Sequence, residues 1–96
     1  MKITEEQAAT QAVNHAILAA HRLGEPRVLQ LSYEQFRALK VCGLPADWNA
    51  GLPMTYRGLR LAQAADGACG RVLVWDRARE KQMVQLIRRL PEDPPA

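Results

Sequence analysis

The sequence is poor in the residue types from which most enzyme active sites are built. Its 96 residues include a single serine, two histidines and two cysteines. The serine, Ser32, precedes a helical pattern and is better explained as a helix cap than as a nucleophile. His15 and His21 would lie about 240° apart around a helix, so they cannot share a metal ion as an i, i+4 pair can. We therefore expect no enzymatic activity, no metal site and no cofactor.

Cysteine is also too sparse, and too widely spaced, to build a structural zinc site. Cys42 and Cys69 form no CxxC motif, and four ligands are the usual requirement. We expect two reduced thiols in small buried positions, with one disulfide as the alternative.

Long apolar runs are missing as well. The longest strongly apolar stretch covers only residues 16–20, whereas a bilayer span needs about 20 residues. The amino terminus carries two glutamates within its first six residues and lacks the basic and then apolar layout of a signal peptide. We expect a cytoplasmic protein with no membrane partner, which for a phage-encoded chain means the host cytoplasm.

Length and composition predict one small globular domain. Apolar residues make up 48% and charged residues 24% of the chain, close to the average for soluble domains. Three prolines among the last six residues predict a disordered tail over 91–96, so the domain covers residues 1–90.

Local sequence patterns predict an α+β fold. Thr4 with Gln7, and Ser32 with Gln35, are capping-box pairs that open two helices, and Gly24 and Gly43 follow their ends. Asp76 is predicted to cap a third helix. A β-bulge at Gly58 would keep the apolar side chains of its strand on one face. The expected order is αβαββα, with helices mostly on one face of a three-stranded antiparallel sheet. The predicted strands are 27–31 and a hairpin of 55–63 with 71–76; the helices are 5–23, 33–42 and 77–90.

The return strand of that hairpin, Val72 to Trp75, is apolar on both faces. Such a strand is predicted to be central in its sheet. One of its faces would meet the helices and the other a partner or a loop.

Residues 43–54 form a long connection in which Gly-Leu-Pro occurs twice around Trp48. Connections of this length are uncommon in compact domains unless they are functional or cover a core. Pro45 allows one helical turn inside it. The segment either folds back as a lid, with Leu52 and Trp48 on the core, or presents Trp48 as an anchor to a partner.

The positive charge of the chain is concentrated in its last third. The net charge is +3, and residues 55–90 hold eight arginines and lysines against three acidic residues. Arginine outnumbers lysine ten to three, and its planar fork suits carboxylate and phosphate partners. A GC-rich genome also explains the arginine bias, but explains its clustering less well.

These features favour a non-catalytic protein-binding module that docks on a larger assembly, as an inhibitor, assembly factor or structural subunit, a type of protein common in phages and mobile elements. The expected partner is a protein with an acidic surface, and self-association is allowed. The alternative is nucleic-acid binding through the same arginines of the hairpin and C-terminal helix. It is weakened by an aromatic content of only 5%, too low for a base-stacking platform. The candidate partner-binding residues are Trp48, Leu52, Arg57, Arg60, Arg71, Arg77, Lys81 and Arg88.

Overall fold

Two helices and a six-stranded mixed sheet make up the fold of the computed structural model, which describes residues 3–65 and 69–88. The predicted tail, 91–96, lies outside these residues. The α+β class is confirmed, whereas the αβαββα order and the three-stranded antiparallel sheet are wrong. Neither helix in the described part of the chain is long and apolar enough to cross a membrane.

The elements are α1 (Glu5–Leu23), β1 (Glu25–Leu31), α2 (Tyr33–Cys42), a 3-10 turn (Pro45–Asp47), β2 (Trp48–Asn49), β3 (Thr55–Tyr56), β4 (Leu59–Gln63), β5 (Arg71–Asp76) and β6 (Lys81–Leu86).

Both helices begin at the capping boxes that the sequence predicts. The Thr4 hydroxyl accepts from the Gln7 N–H at 3.1 Å, and the Gln7 side chain accepts from the Thr4 N–H at 2.9 Å. Ser32 and Gln35 make the same reciprocal pair at 3.2 and 2.9 Å. These bonds satisfy amide groups that the first turn of a helix leaves without partners. The helix bounds therefore follow directly from short-range sequence.

The sheet has the strand order β2-β3-β4-β1-β5-β6. β1 lies between β4, to which it is parallel, and β5, to which it is antiparallel. The predicted hairpin of 55–63 with 71–76 is therefore wrong, because β1 separates its two strands. β1 carries Leu29 and Leu31, which are buried, and a strand with this burial is favoured at the centre of a sheet.

The predicted third helix is also wrong, because its residues form a turn and the strand β6. Asp76 Oδ1 does accept from the N–H groups of Ala78 and Arg79, at 3.0 and 3.2 Å, as a helix cap would. However, Glu80 then takes a left-handed backbone conformation, with φ of 51°, and the chain reverses alongside β5. This pairing satisfies backbone groups of β5 that a helix would have left without partners.

The two helices pack against each other and against one face of the sheet, where the core lies. Thr10 of α1 donates to the Ala38 carbonyl of α2 at 3.3 Å, and this bond ties the helices together. The face of α1 that meets the sheet is largely alanine, so the helix lies close to β1 and β5. The fully buried side chains are Val13, Ile17, Leu29, Leu39, Tyr56, Val72 and Val74.

The predicted bulge at Gly58 is a tight turn between β3 and β4. Arg57 and Gly58 both have positive φ, 50° and 81°, as a two-residue hairpin turn requires. Tyr56 and Leu59 are paired across this turn, and both are buried with Leu61 packed beside them. The apolar side chains thus share one face, as predicted, through a hairpin rather than through a bulge.

Candidate functional site

The candidate site is the side of the sheet that faces away from the helices, which we call the open face. Strand register defines its members, because directly paired residues project to the same side of a sheet. One row across four strands contains Arg60, Val28, Leu73 and Val84, and the next contains Ala62, Gln30, Arg71 and Leu86. Trp75, with Gln82 opposite it, completes the open face near the β5–β6 turn.

Apolar side chains form the centre of the open face. Val28, Leu73 and Trp75 are half-buried, and Val84 and Leu86 are each 43% exposed. No helix in the described chain covers these residues, because both helices pack on the opposite side. A contiguous exposed apolar patch of this kind is typical of an interaction surface.

Arginines surround this patch, and they fall into two groups. Arg27 and Arg77 both meet Glu25, at 3.5 and 3.0 Å, so their charges are partly neutralised. Arg60 and Arg71 make no ion pair within residues 3–65 and 69–88. The Nε of Arg71 is enclosed and has no hydrogen-bond partner there. The open face therefore carries a net positive charge, with two guanidinium groups that have no acidic partner among the described residues.

One face of the Trp75 indole is already occupied. The guanidinium carbon of Arg27 lies 5.6 Å from the ring centroid, within the range of a cation–π contact. Glu25 holds the same arginine from the side. Arg27 therefore links the Trp75 ring to Glu25 on the open face.

Trp48 is packed within the chain. Its ring lies edge-on to Phe36 and Tyr56, with centroid separations of 6.2 and 5.0 Å, and Lys40 lies over it at 5.7 Å. The indole therefore borders the core beside α2. In the same connection, the Leu52 side chain is fully exposed.

Arg57 is held by its own surroundings. Its Nε lies 3.3 Å from Asp47 Oδ2, in a geometry that is an ion pair without an aligned hydrogen bond. Its backbone N–H donates to the Asp47 carbonyl at 2.6 Å. Arg57 thus fixes the β3–β4 turn onto the 3-10 turn.

The structure brings together some of the predicted partner-binding residues and separates others. Arg60 and Arg71 share the open face, and Arg77 lies at its end. Lys81 begins β6, and Arg88 follows that strand. The others, Trp48, Leu52 and Arg57, lie around β2 and β3 at the opposite edge of the sheet.

Sequence reasoning missed most of the apolar members of the open face. The sequence pattern predicts Val84 and Leu86 in a helix, whereas both residues lie in the strand β6. The pattern that does indicate the open face is the run from Val72 to Trp75, which is apolar on both faces of its strand. It predicts a central strand with one face left for a partner or a loop, and β5 does lie between two strands with Leu73 and Trp75 on the open face.

A separate cleft lies where the parallel strands β1 and β4 end, beside the start of α2. It has a volume of about 250 Å³ and is lined mainly by apolar side chains, including Phe36 and Leu61. The Ser32 hydroxyl at its edge is engaged as the helix cap, and both histidines are exposed on α1. The cleft therefore offers apolar contact without a nucleophile and base. Both cysteines are free, but the predicted burial is wrong, because Cys42 is half-buried and Cys69 is exposed.

No cluster of three or more histidine, cysteine or acidic side chains suited to a metal ion occurs in the described ranges. Comparison with known protein families, with curated proteins and with solved structures gives no match for this chain.

Proposed function

We propose that this protein is a non-catalytic docking module that binds a larger protein assembly through the open face. One observation carries the proposal: both helices pack on the same side of the sheet, so no helix of the described chain covers Leu73, Trp75, Val84 and Leu86. Inhibitors, assembly factors and structural subunits act by such docking, and we expect the cytoplasm as its location.

The charges of the open face define the chemistry of the partner. Arg60 and Arg71 favour a partner that supplies carboxylates, because the ranges 3–65 and 69–88 supply none to them. The enclosed Nε of Arg71 is a donor whose unmet bond costs about 1–3 kcal/mol, so rearrangement onto a partner carboxylate would favour binding. We expect an apolar surface bordered by aspartate or glutamate.

The apolar anchors of this interface are Leu73 and Trp75. Trp48 is engaged with Phe36 and Tyr56 and contributes to the support of the sheet. The fully exposed Leu52 is a separate apolar contact at the far edge.

Nucleic-acid binding is the second candidate, favoured by the two unpaired arginines and the indole on one sheet face. Bases bind such faces by stacking on aromatic rings. Here Arg27 lies over the Trp75 ring at 5.6 Å, where a base would stack. The surrounding surface is aliphatic, which favours a protein partner.

The proposal is tested first by site-specific cross-linking. A photoreactive residue replaces Leu73 in one variant and Leu18 in a control, since Leu18 is 59% exposed on α1, away from the open face. Cross-links formed in the source cell are identified by mass spectrometry. We expect one recurrent protein from position 73 and none from position 18; equal labelling from both positions contradicts the proposal.

The identified protein is then titrated against two charge-matched variants. Arg60→Gln/Arg71→Gln and Arg22→Gln/Arg37→Gln each remove two positive charges, but only the first pair lies on the open face. We expect affinity to fall about tenfold or more for the first pair and to change little for the second. Equal losses would indicate non-specific attraction and contradict a defined interface.

Single-stranded and duplex oligonucleotides are titrated in parallel at low and moderate salt. Binding that falls steeply with salt and is lost in Arg60→Gln/Arg71→Gln would establish the second candidate in place of the first. Absence of binding at low salt eliminates it.

A further inference from the structure

Within residues 3–65 and 69–88, no strand pairs with the outer edge of β6, the last strand of the sheet. Ile87 donates its N–H to the Gly70 carbonyl beside β5 at 3.1 Å. Because hydrogen bonding alternates along antiparallel strands, the backbone N–H and C=O groups of residues 83 and 85 also point toward β5. The backbone groups of Gln82, Val84 and Leu86 point outward, away from the sheet. The same three residues project their side chains onto the open face.

This edge lacks the usual protection against strand addition. Proteins commonly protect edge strands with charges, prolines or bulges. β6 has one charged residue, Lys81 at its start, and no proline, and its pairing with β5 has a continuous register. It also exposes 43% of both Val84 and Leu86. The edge is therefore suited to pairing.

We propose that β6 pairs antiparallel with β6 of a second copy of the chain, about a two-fold axis at Val84. In this register Val84 lies opposite Val84 of the second copy, and Gln82 lies opposite its Leu86. All of these residues have outward-pointing backbone groups, so each pair can exchange two hydrogen bonds. The Leu86 carbonyl accepts from the exposed Gln85 side-chain amide at 3.3 Å, and the Gln82 N–H of the second copy would replace that donor. The contact is the same from both copies, as a closed dimer requires.

Charge complementarity favours this register, and it favours a second copy of the chain as the partner of β6. It brings Glu80, the last residue of the β5–β6 turn, close to Arg88 of the second copy, twice per dimer. Neither residue makes an ion pair within the described ranges. A shift of two residues in either direction removes this match and leaves only two of the three outward-pointing residues opposite one another. Stacking two open faces would instead oppose arginines with arginines.

The proposed dimer would enlarge the open face. Dimer formation does not depend on partner binding at that face. A two-fold axis perpendicular to the sheet leaves both open faces on the same side, so their apolar centres become continuous. The proposal stands on the β6 edge alone, and failure of partner binding would leave it untouched.

The first test is the dissociation constant of the dimer, measured by sedimentation equilibrium with Val84→Pro and Val84→Thr. Proline removes the outward N–H at this position, which makes no bond to β5. Because proline also fixes φ, circular dichroism checks the fold. Threonine keeps the N–H at nearly the same volume. We expect Val84→Pro to weaken the dimer at least tenfold and Val84→Thr to weaken it far less. Equal weakening, or a wild-type chain that is monomeric at high micromolar concentration, overturns the proposal.

The second test uses the charges and requires no loss of folding. Glu80→Lys and Arg88→Glu should each weaken self-association, because each opposes like charges twice. An equimolar mixture of the two variants should form a heterodimer in which both charge pairs are attractive. If mixing restores no association, the assigned register is wrong and the proposal fails. A dimer that is broken by Leu73→Asp and kept by Val84→Pro would likewise overturn it.

Discussion

Tyr56 shows at the residue scale how a polar group supports this small core. Its ring is fully buried, it packs against Trp48, and its hydroxyl donates to Asn14 Oδ1 on α1 at 2.7 Å. One side chain therefore joins the β3–β4 hairpin to the helix layer, and a buried hydroxyl needs a partner of this kind.

Tyr56 also predicts how stability depends on alkaline pH. Burial raises the pKa of Tyr56 above its ordinary value of 10.0, with Asp47 adding to the effect and Arg57 opposing it. The folded chain therefore keeps the phenolic proton at a pH where the unfolded chain releases it, so the free energy of unfolding falls as pH rises above 10.

We expect Tyr56→Phe to remove this contribution to the pH dependence and to cost about 0.5–1.5 kcal/mol at neutral pH through loss of the Asn14 bond. Urea unfolding at neutral and strongly alkaline pH measures both effects. Tyr33→Phe is the matched control, because Tyr33 is 69% exposed. If wild type and Tyr56→Phe lose stability in parallel above pH 10, the assignment is contradicted.

At the scale of elements, the β5–β6 turn depends on Asp76. Its carboxylate accepts two backbone N–H groups, from Ala78 and Arg79, and thereby orders the turn that allows β6 to return. We expect Asp76→Ala to cost about 1 kcal/mol and Asp76→Asn to cost less, because asparagine keeps the acceptor oxygen. Urea unfolding at one fixed protein concentration measures the free energy of unfolding of both variants. If Asp76→Asn costs as much as Asp76→Ala, the charge of Asp76 stabilises the turn rather than its hydrogen bonds.

The two helices could be predicted from sequence because their starts depend on residues only three positions apart. The same local chemistry at Asp76 was ambiguous, since a carboxylate that accepts from the next amides begins either a helix or a turn. The outcome depends on β5, which needs a partner strand along its outer edge. That requirement comes from the placement of β1 between β4 and β5, which no short stretch of sequence specifies.

The candidate site could be predicted only in part for the same reason. Clustering of arginine in the last third indicates where positive charge lies along the chain, and Arg60 and Arg71 do share the open face. Their neighbours on that face, such as Val28 and Leu86, are brought together by pairing among β4, β1, β5 and β6. A surface assembled from four strands is a property of the sheet order, so composition and spacing do not identify it.

For the whole molecule, the one-sided packing of the helices separates stability from binding. Leu29 and Leu73 lie on adjacent strands of the sheet interior, but Leu29 is fully buried beneath the helices and Leu73 is half-buried on the open face. We expect Leu29→Ala to cost about 2–5 kcal/mol, because it leaves a cavity in the core. Leu73→Ala should cost less than half as much, since water already reaches that side, and should instead weaken partner binding. Urea unfolding and titration of the cross-linked partner measure the two effects. Equal destabilisation would mean that Leu73 is packed as tightly as the core, and the open face would lose its assignment as a docking surface.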